Sequence, residues 1–172
     1  NVASFVSGGG AAVNEVVIYT RLPYNSSAMP VIKINGYCYV AGSGKASNID
    51  LQIMYYVAGG TIVNDSVVSN GTFTPTVKLF KHTVSGTDYI AVGLQGLISY
   101  LQFTVDYQNH WSAINQSAGW TVASQNGGTS LIEGKPNLKT ITYNLGNKTD
   151  ISGKEDLINK VTTLTNNDTD YP

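Results

Sequence analysis

With 172 residues and a mass of 18.3 kDa, the chain is long enough for one well-cored domain with an appendage. Charged residues make up only 12% and the net charge is −1, which excludes the basic footprint of a nucleic-acid or anionic-membrane binder. No apolar run approaches the ~20 residues that a bilayer-spanning helix needs, and the one cysteine, Cys38, leaves no internal disulfide and no cysteine-based zinc site.

Residues 1–12 (NVASFVSGGGAA) are small and Gly-rich, and read as a linker or an N-terminal arm. From Val13 onward, segments rich in Val, Ile, Thr and Tyr recur at short intervals with turn residues between them. The predicted strands are 15–21, 30–40, 48–57, 61–68, 72–80, 88–94, 99–107, 118–123 and 138–145. The second and third show a period of two most plainly. Ile32, Ile34, Cys38 and Val40 share one face, and Ile49, Leu51, Ile53, Tyr55 and Val57 share another. Cys38 therefore reads as a buried free thiol. Hairpin signals fall at Gly42-Ser43-Gly44, Gly59-Gly60, Asn70-Gly71, Ser85-Gly86 and Asn126-Gly127-Gly128. Asn35-Gly36 sits inside an apolar alternation and predicts a bulge rather than a turn.

Eight or nine short strands with one apolar face each predict an all-β domain over 13–145, an antiparallel β-sandwich. A jelly-roll-like or Ig-like arrangement leads, and a closed barrel comes second. Low charge, abundant Asn, Thr, Gly and Ser, and 11 tyrosines are typical of secreted or virion-surface β-proteins.

Over 146–172 the alternation stops. Ser152 with Glu155 three residues on matches a capping box ahead of Leu157, Ile158, Val161 and Leu164. That pattern predicts a short C-terminal helical or coiled segment, which must dock or pair with copies of itself, or else a linker. A start at Asn1 and a stop at Pro172 inside a polar segment suggest a piece of a longer chain, continuing into a further C-terminal region.

A search for chemistry finds no catalytic set. His82 lies near the Ser85-Gly86 turn, and His110 follows Asp106 by four residues, about 13 Å along a straight strand. No Gly-x-Ser-x-Gly elbow is present, and the acids Asp50, Asp65, Asp88, Asp106, Glu133 and Asp150 are scattered singly. The expectation is a protein that is not an enzyme, with no metal and no cofactor. Gly42-Ser43-Gly44-Lys45 fails as a phosphate loop, because Tyr39 and Ala46 stand where glycine and Ser or Thr are needed. The candidate binding residues are aromatic: Trp111, Trp120, Tyr107 and Tyr100 could offer ring faces to sugars or to a protein partner.

Met29-Pro30-Val31-Ile32, Ile34, Gly36-Tyr37, Tyr39, Ile49-Asp50-Leu51 and Tyr55-Tyr56 together resemble a β-domain of bacteriophage tail fibres and related virion fibre proteins. Thr74-Pro75 with Leu79, then Trp111 and Gly119-Trp120, extend the likeness over roughly residues 15–123. The segment Lys160-Val161-Thr162-Thr163-Leu164 with Thr169-Asp170-Tyr171-Pro172 separately resembles linkers in structural proteins of gut bacteriophages. The resemblance implies an extracellular, virion-borne homotrimer. Its partners would be its own copies, other virion or tail proteins, and a glycan or protein receptor on the host surface, with no nucleic acid and no membrane insertion. It transfers no catalytic residue. In such a trimer the alternate face of the two leading strands (Lys33, Tyr37, Tyr39, Met54, Tyr56) is expected to be buried between protomers. The competing expectation is a carbohydrate-binding module of a secreted or surface bacterial protein.

Overall fold

A computed structural model describes residues 1–10, 12–40, 45–109, 116–125, 134–135 and 140–142. Among them the chain is all β, with no helix. Its strands are β1 (Ala3–Val6), β2 (Val13–Pro23), β3 (Val31–Val40), β4 (Ala46–Ala58), β5 (Thr61–Ser69), β6 (Thr76–Val84), β7 (Thr87–Gln108), β8 (Thr121–Gln125), β9 (Gly134–Lys135) and β10 (Thr140–Thr142). Every described pairing is antiparallel except β10 with β5. The expected C-terminal helix lies outside the described residues, as do two of the expected turns.

The spine is β7, 22 residues long. Its first half pairs with β6 on one edge and β2 on the other, and its second half pairs with β3 and β1. Ile98 marks the exchange, since it lies opposite Val13 of β2 and Val40 of β3. Register shifts bracket this point: one in the β2 pairing between Val13 and Glu15, the other in the β3 pairing between Tyr37 and Tyr39. Extra residues in one strand bend and twist it. Here they let one sheet turn a corner and fold over itself. One layer is β9-β6-β7-β2-β8, the other β1-β7-β3-β4-β5-β10. The product is an antiparallel sandwich, nearly closed as a barrel.

The core follows from the alternation. Ile18, Leu22, Leu79, Ile90 and Leu94 of the first layer meet Ile32, Ile34, Ile49, Leu51, Ile53, Leu101 and Val105 of the second, in one continuous cluster. Cys38 is wholly buried within it, and burial raises its thiol pKa, so the reading of an enclosed thiol holds. Two hairpins close on two-residue turns with both residues at positive φ, Gly59-Gly60 (57° and 73°) and Ser85-Gly86 (50° and 79°). That is the twist that suits a right-handed strand pair.

Three features differ from expectation. The segments 88–94 and 99–107 are one strand, because the Gly96 region carries the corner instead of a loop. The Gly-rich arm holds β1, whose Phe5 lies opposite Phe103 with ring centroids 5.7 Å apart. Asn35-Gly36 is neither bulge nor turn: β3 runs in unbroken register against β4, with Gly36 opposite Ile49. A Cβ on Gly36 would meet the Gln102 carbonyl oxygen and lie 2.5 Å from Phe103 Cβ, so the missing side chain serves close approach of β3 and β7.

Candidate functional site

Two clusters on the outer faces of the layers combine exposure with functional side chains. The first is on the β1-β7-β3 face. Strand alternation turns Asn35, Tyr37 and Tyr39 of β3 outward, and register sets Tyr37 beside Gln102 of β7, which in turn lies opposite Val6 of β1. Val6 is 72% exposed, Tyr37 39% and Tyr100 55%; among the described residues Met29 is the one other large apolar side chain so exposed. Tyr100 is part of the extra segment of β7 between Ser99 and Gln102, and holds φ at 50°. A left-handed backbone is costly for an aromatic residue, and such outliers concentrate at functional positions. The Tyr100 ring meets Tyr39 edge to face. It also overlies Gly10, where a Cβ would come 2.6 Å from the phenol oxygen. Beside this patch runs a shallow depression of about 350 Å³, lined among others by Val6, Asn35, Tyr37, Gln102 and Thr104. Uncharged amides and hydroxyls around aromatic faces form a surface suited to sugars or to a partner protein.

The second cluster lies on the outer face of the other layer. Between Tyr19 and Pro23, β2 carries two more residues than β7 opposite it, so the strand bulges over 20–22. Thr20 repairs the ladder: its hydroxyl donates to the Ile90 carbonyl at 2.7 Å and accepts the Leu22 N–H at 3.0 Å. The Thr20 carbonyl is 3.1 Å from Nε2 of His82 on β6. The bulge re-aims Arg21. Its Nε donates to the Gly119 carbonyl at 3.2 Å, and its guanidinium lies 5.2 Å from the Tyr89 ring centre. Tyr19 meets His82 edge to face at 5.2 Å, and His82 lies 5.7 Å from Tyr89. Burial lowers the His82 pKa, aided by the Arg21 charge and opposed by the backbone hydrogen bond to Thr20. A cavity of about 270 Å³ opens here, lined among others by Tyr19, Arg21, His82 and Gly119.

The four aromatic candidates part company. Tyr100 lies on the first surface. Trp120 is 7% exposed, belongs to the core cluster, and donates its Nε1–H to the Gln116 carbonyl at 2.7 Å. Tyr107 packs against that core with its ring 5.1 Å from Trp120, so this pair joins the layers from inside. Trp111 lies outside the described residues. Arg21, Tyr89 and Val6 escape sequence reasoning, for a charged strand residue reads as ordinary solvent-facing and a bulge leaves no composition signal. Gly119, with φ at 81° and Arg21 Nε 3.0 Å from its would-be Cβ, is the nearest thing to one.

Among the described residues no three His, Cys, Asp or Glu side chains come together as a metal-ion cage. Comparison of the chain with protein-family models, with curated proteins and with solved structures returns no significant match.

Proposed function

We propose that this chain is a structural and host-attachment domain of a bacteriophage tail fibre or related virion fibre. It acts without catalysis, assembling as a homotrimer that either binds a cell-surface receptor or joins fibre segments. The observation that carries the reading is the outward patch of Val6, Tyr37 and Tyr100, with Tyr100 kept in a left-handed conformation that a glycine would adopt more cheaply. An aromatic face held exposed at a conformational cost is matched to a partner rather than to water. Lys33, Tyr37, Tyr39, Met54 and Tyr56 share the outward side of the same layer; Lys33 and Tyr37 are exposed in one protomer and the other three are half-buried. Association of copies over this side would cover the tyrosines at an interface type enriched in them.

The same patch, with the depression beside it that Phe5 and Phe103 help line, also favours a second reading, a carbohydrate-binding module of a secreted or surface bacterial protein. Light scattering separates the two. A mass near three times 18.3 kDa is expected for the fibre domain, whereas a clean monomer would move the weight to the carbohydrate-binding module.

A further inference from the structure

The Arg21 cavity stands apart from the Tyr100 patch, on the other layer, and the fibre reading makes no use of it. Arg21 is half-buried, and its guanidinium is fixed on one edge by the Gly119 carbonyl and on one face by Tyr89. Among the described residues no carboxylate pairs with Arg21; the nearby Lys81 and Asp88 pair with each other at 3.4 Å. A partly desolvated cation without a counter-ion is costly unless something supplies the negative charge. Because two contacts already hold the guanidinium, little side-chain freedom remains to be lost when a ligand binds.

We propose that this cavity is a second binding site, and that it takes one carboxylated sugar ring of the hexuronate class. The carboxylate pairs with the Nη edge of Arg21 and the ring packs against the Tyr19–His82 wall. Three observations select this ligand. The site carries one uncompensated positive charge, since burial keeps His82 toward its neutral form, which matches a carboxylate better than a phosphate near −2. Its aromatic side chains suit the C–H face of a pyranose. Its volume of about 270 Å³ falls just below the ~300–1,000 Å³ of sites for larger ligands, so it holds one ring and not an extended chain. An aspartate or glutamate side chain of a peptide would fill the cationic end and leave the rest wet.

The test is a titration of the isotopically labelled native chain by nuclear magnetic resonance, with methyl glucuronide, methyl glucoside, acetate and inorganic phosphate as separate probes. The glucuronide is expected to shift the Arg21 Nε–H and the His82 and Tyr19 ring signals, and to bind at least about tenfold more tightly than the other three. Arg21→Gln should remove that advantage, and Arg21→Lys should not restore it, because an ammonium cannot make the two-pronged contact. A retained spectrum elsewhere in each variant shows that the fold persists. Equal binding of the glucoside would overturn the role of the charge. Equal binding of acetate would overturn the role of the ring, and equal binding of phosphate would overturn the match to a monoanion. The absence of any saturable shift with millimolar glucuronide, or one that Arg21→Gln leaves intact, would overturn the site itself. None of these outcomes depends on the oligomeric state.

Discussion

Tyr39 and Tyr100 meet edge to face, with ring centroids 6.3 Å apart and planes at 88°. The contact exists because β7 inserts one extra residue between Ser99 and Gln102, so that Tyr100 leaves the alternation and leans along the sheet over Gly10. A rim of ring and backbone thus rises at one end of the Tyr37–Gln102–Val6 row. The conformational cost at Tyr100 and the exposure of its ring belong to the same bulge.

Replacing that residue separates fold from function. Tyr100→Gly relieves the positive φ while deleting an exposed ring, and the two effects oppose each other. We expect urea unfolding to place the variant within about 1 kcal/mol of the native chain. Self-association or binding to cells should nevertheless fall. A variant destabilised well beyond this and unchanged in association would assign Tyr100 to the fold alone.

Trp120 should behave in the opposite way. Its ring is enclosed and stacks on Tyr107, and its indole N–H is satisfied by Gln116. Trp120→Ala is expected to cost about 3–5 kcal/mol, as for other large aromatic side chains removed from cores. A loss below 1 kcal/mol in urea unfolding would contradict its place between the layers.

Gly36 tests the close approach of β3 and β7. A methyl group there would press on the Gln102 carbonyl and on Phe103, neither of which can swing aside without moving the strand. Gly36→Ala should destabilise by about 1–3 kcal/mol, the usual cost of overpacking. If instead the position were a permissive bulge, the substitution would be neutral or mildly stabilising.

The contrast between these positions explains what the sequence could reveal. Where a strand buries one face, the period of two records it, and β2 to β5 follow the predicted segments closely, as do the two turns at Gly59-Gly60 and Ser85-Gly86, while β6 runs four residues later than the predicted 72–80. Where structure depends on a distant partner, no local pattern records it. β1 is held by β7 almost a hundred residues away, and its neighbouring glycines look like linker. The corner in β7 looks like a break between two strands, since glycine marks both loops and bends. Of the surface sites, Tyr100 was legible as an aromatic residue near the start of a predicted strand. Arg21 was not, because its orientation comes from a bulge repaired by Thr20, and a threonine in a strand is unremarked in sequence.

The pH dependence of stability carries a further signature. The His82 pKa lies below its ordinary 6.5 in the folded chain, chiefly through burial. The unfolded chain then binds more protons in the interval below 6.5, so the folded state gains relative stability as pH rises through it. The contribution is complete above about pH 6.5 and is lost as pH falls toward and through the folded value. Asp88, also lowered, chiefly by its hydrogen bond from Thr83, acts only below its ordinary 3.8, so the two windows are distinct. His82→Gln should flatten the upper window in pH-dependent urea unfolding and leave the lower one. A native curve already flat from pH 7 to 5 would contradict the burial of the imidazole.

The central claim is that the outward tyrosine face of β3, β4 and β7 is where copies of this domain meet. The most direct test is the solution mass by light scattering of the native chain beside Tyr37→Arg, since a cation at the middle of that face should be poorly tolerated only if the face is covered. The account predicts a native trimer that the substitution dissociates to folded monomers. A native monomer, or a trimer indifferent to Tyr37→Arg, would contradict it.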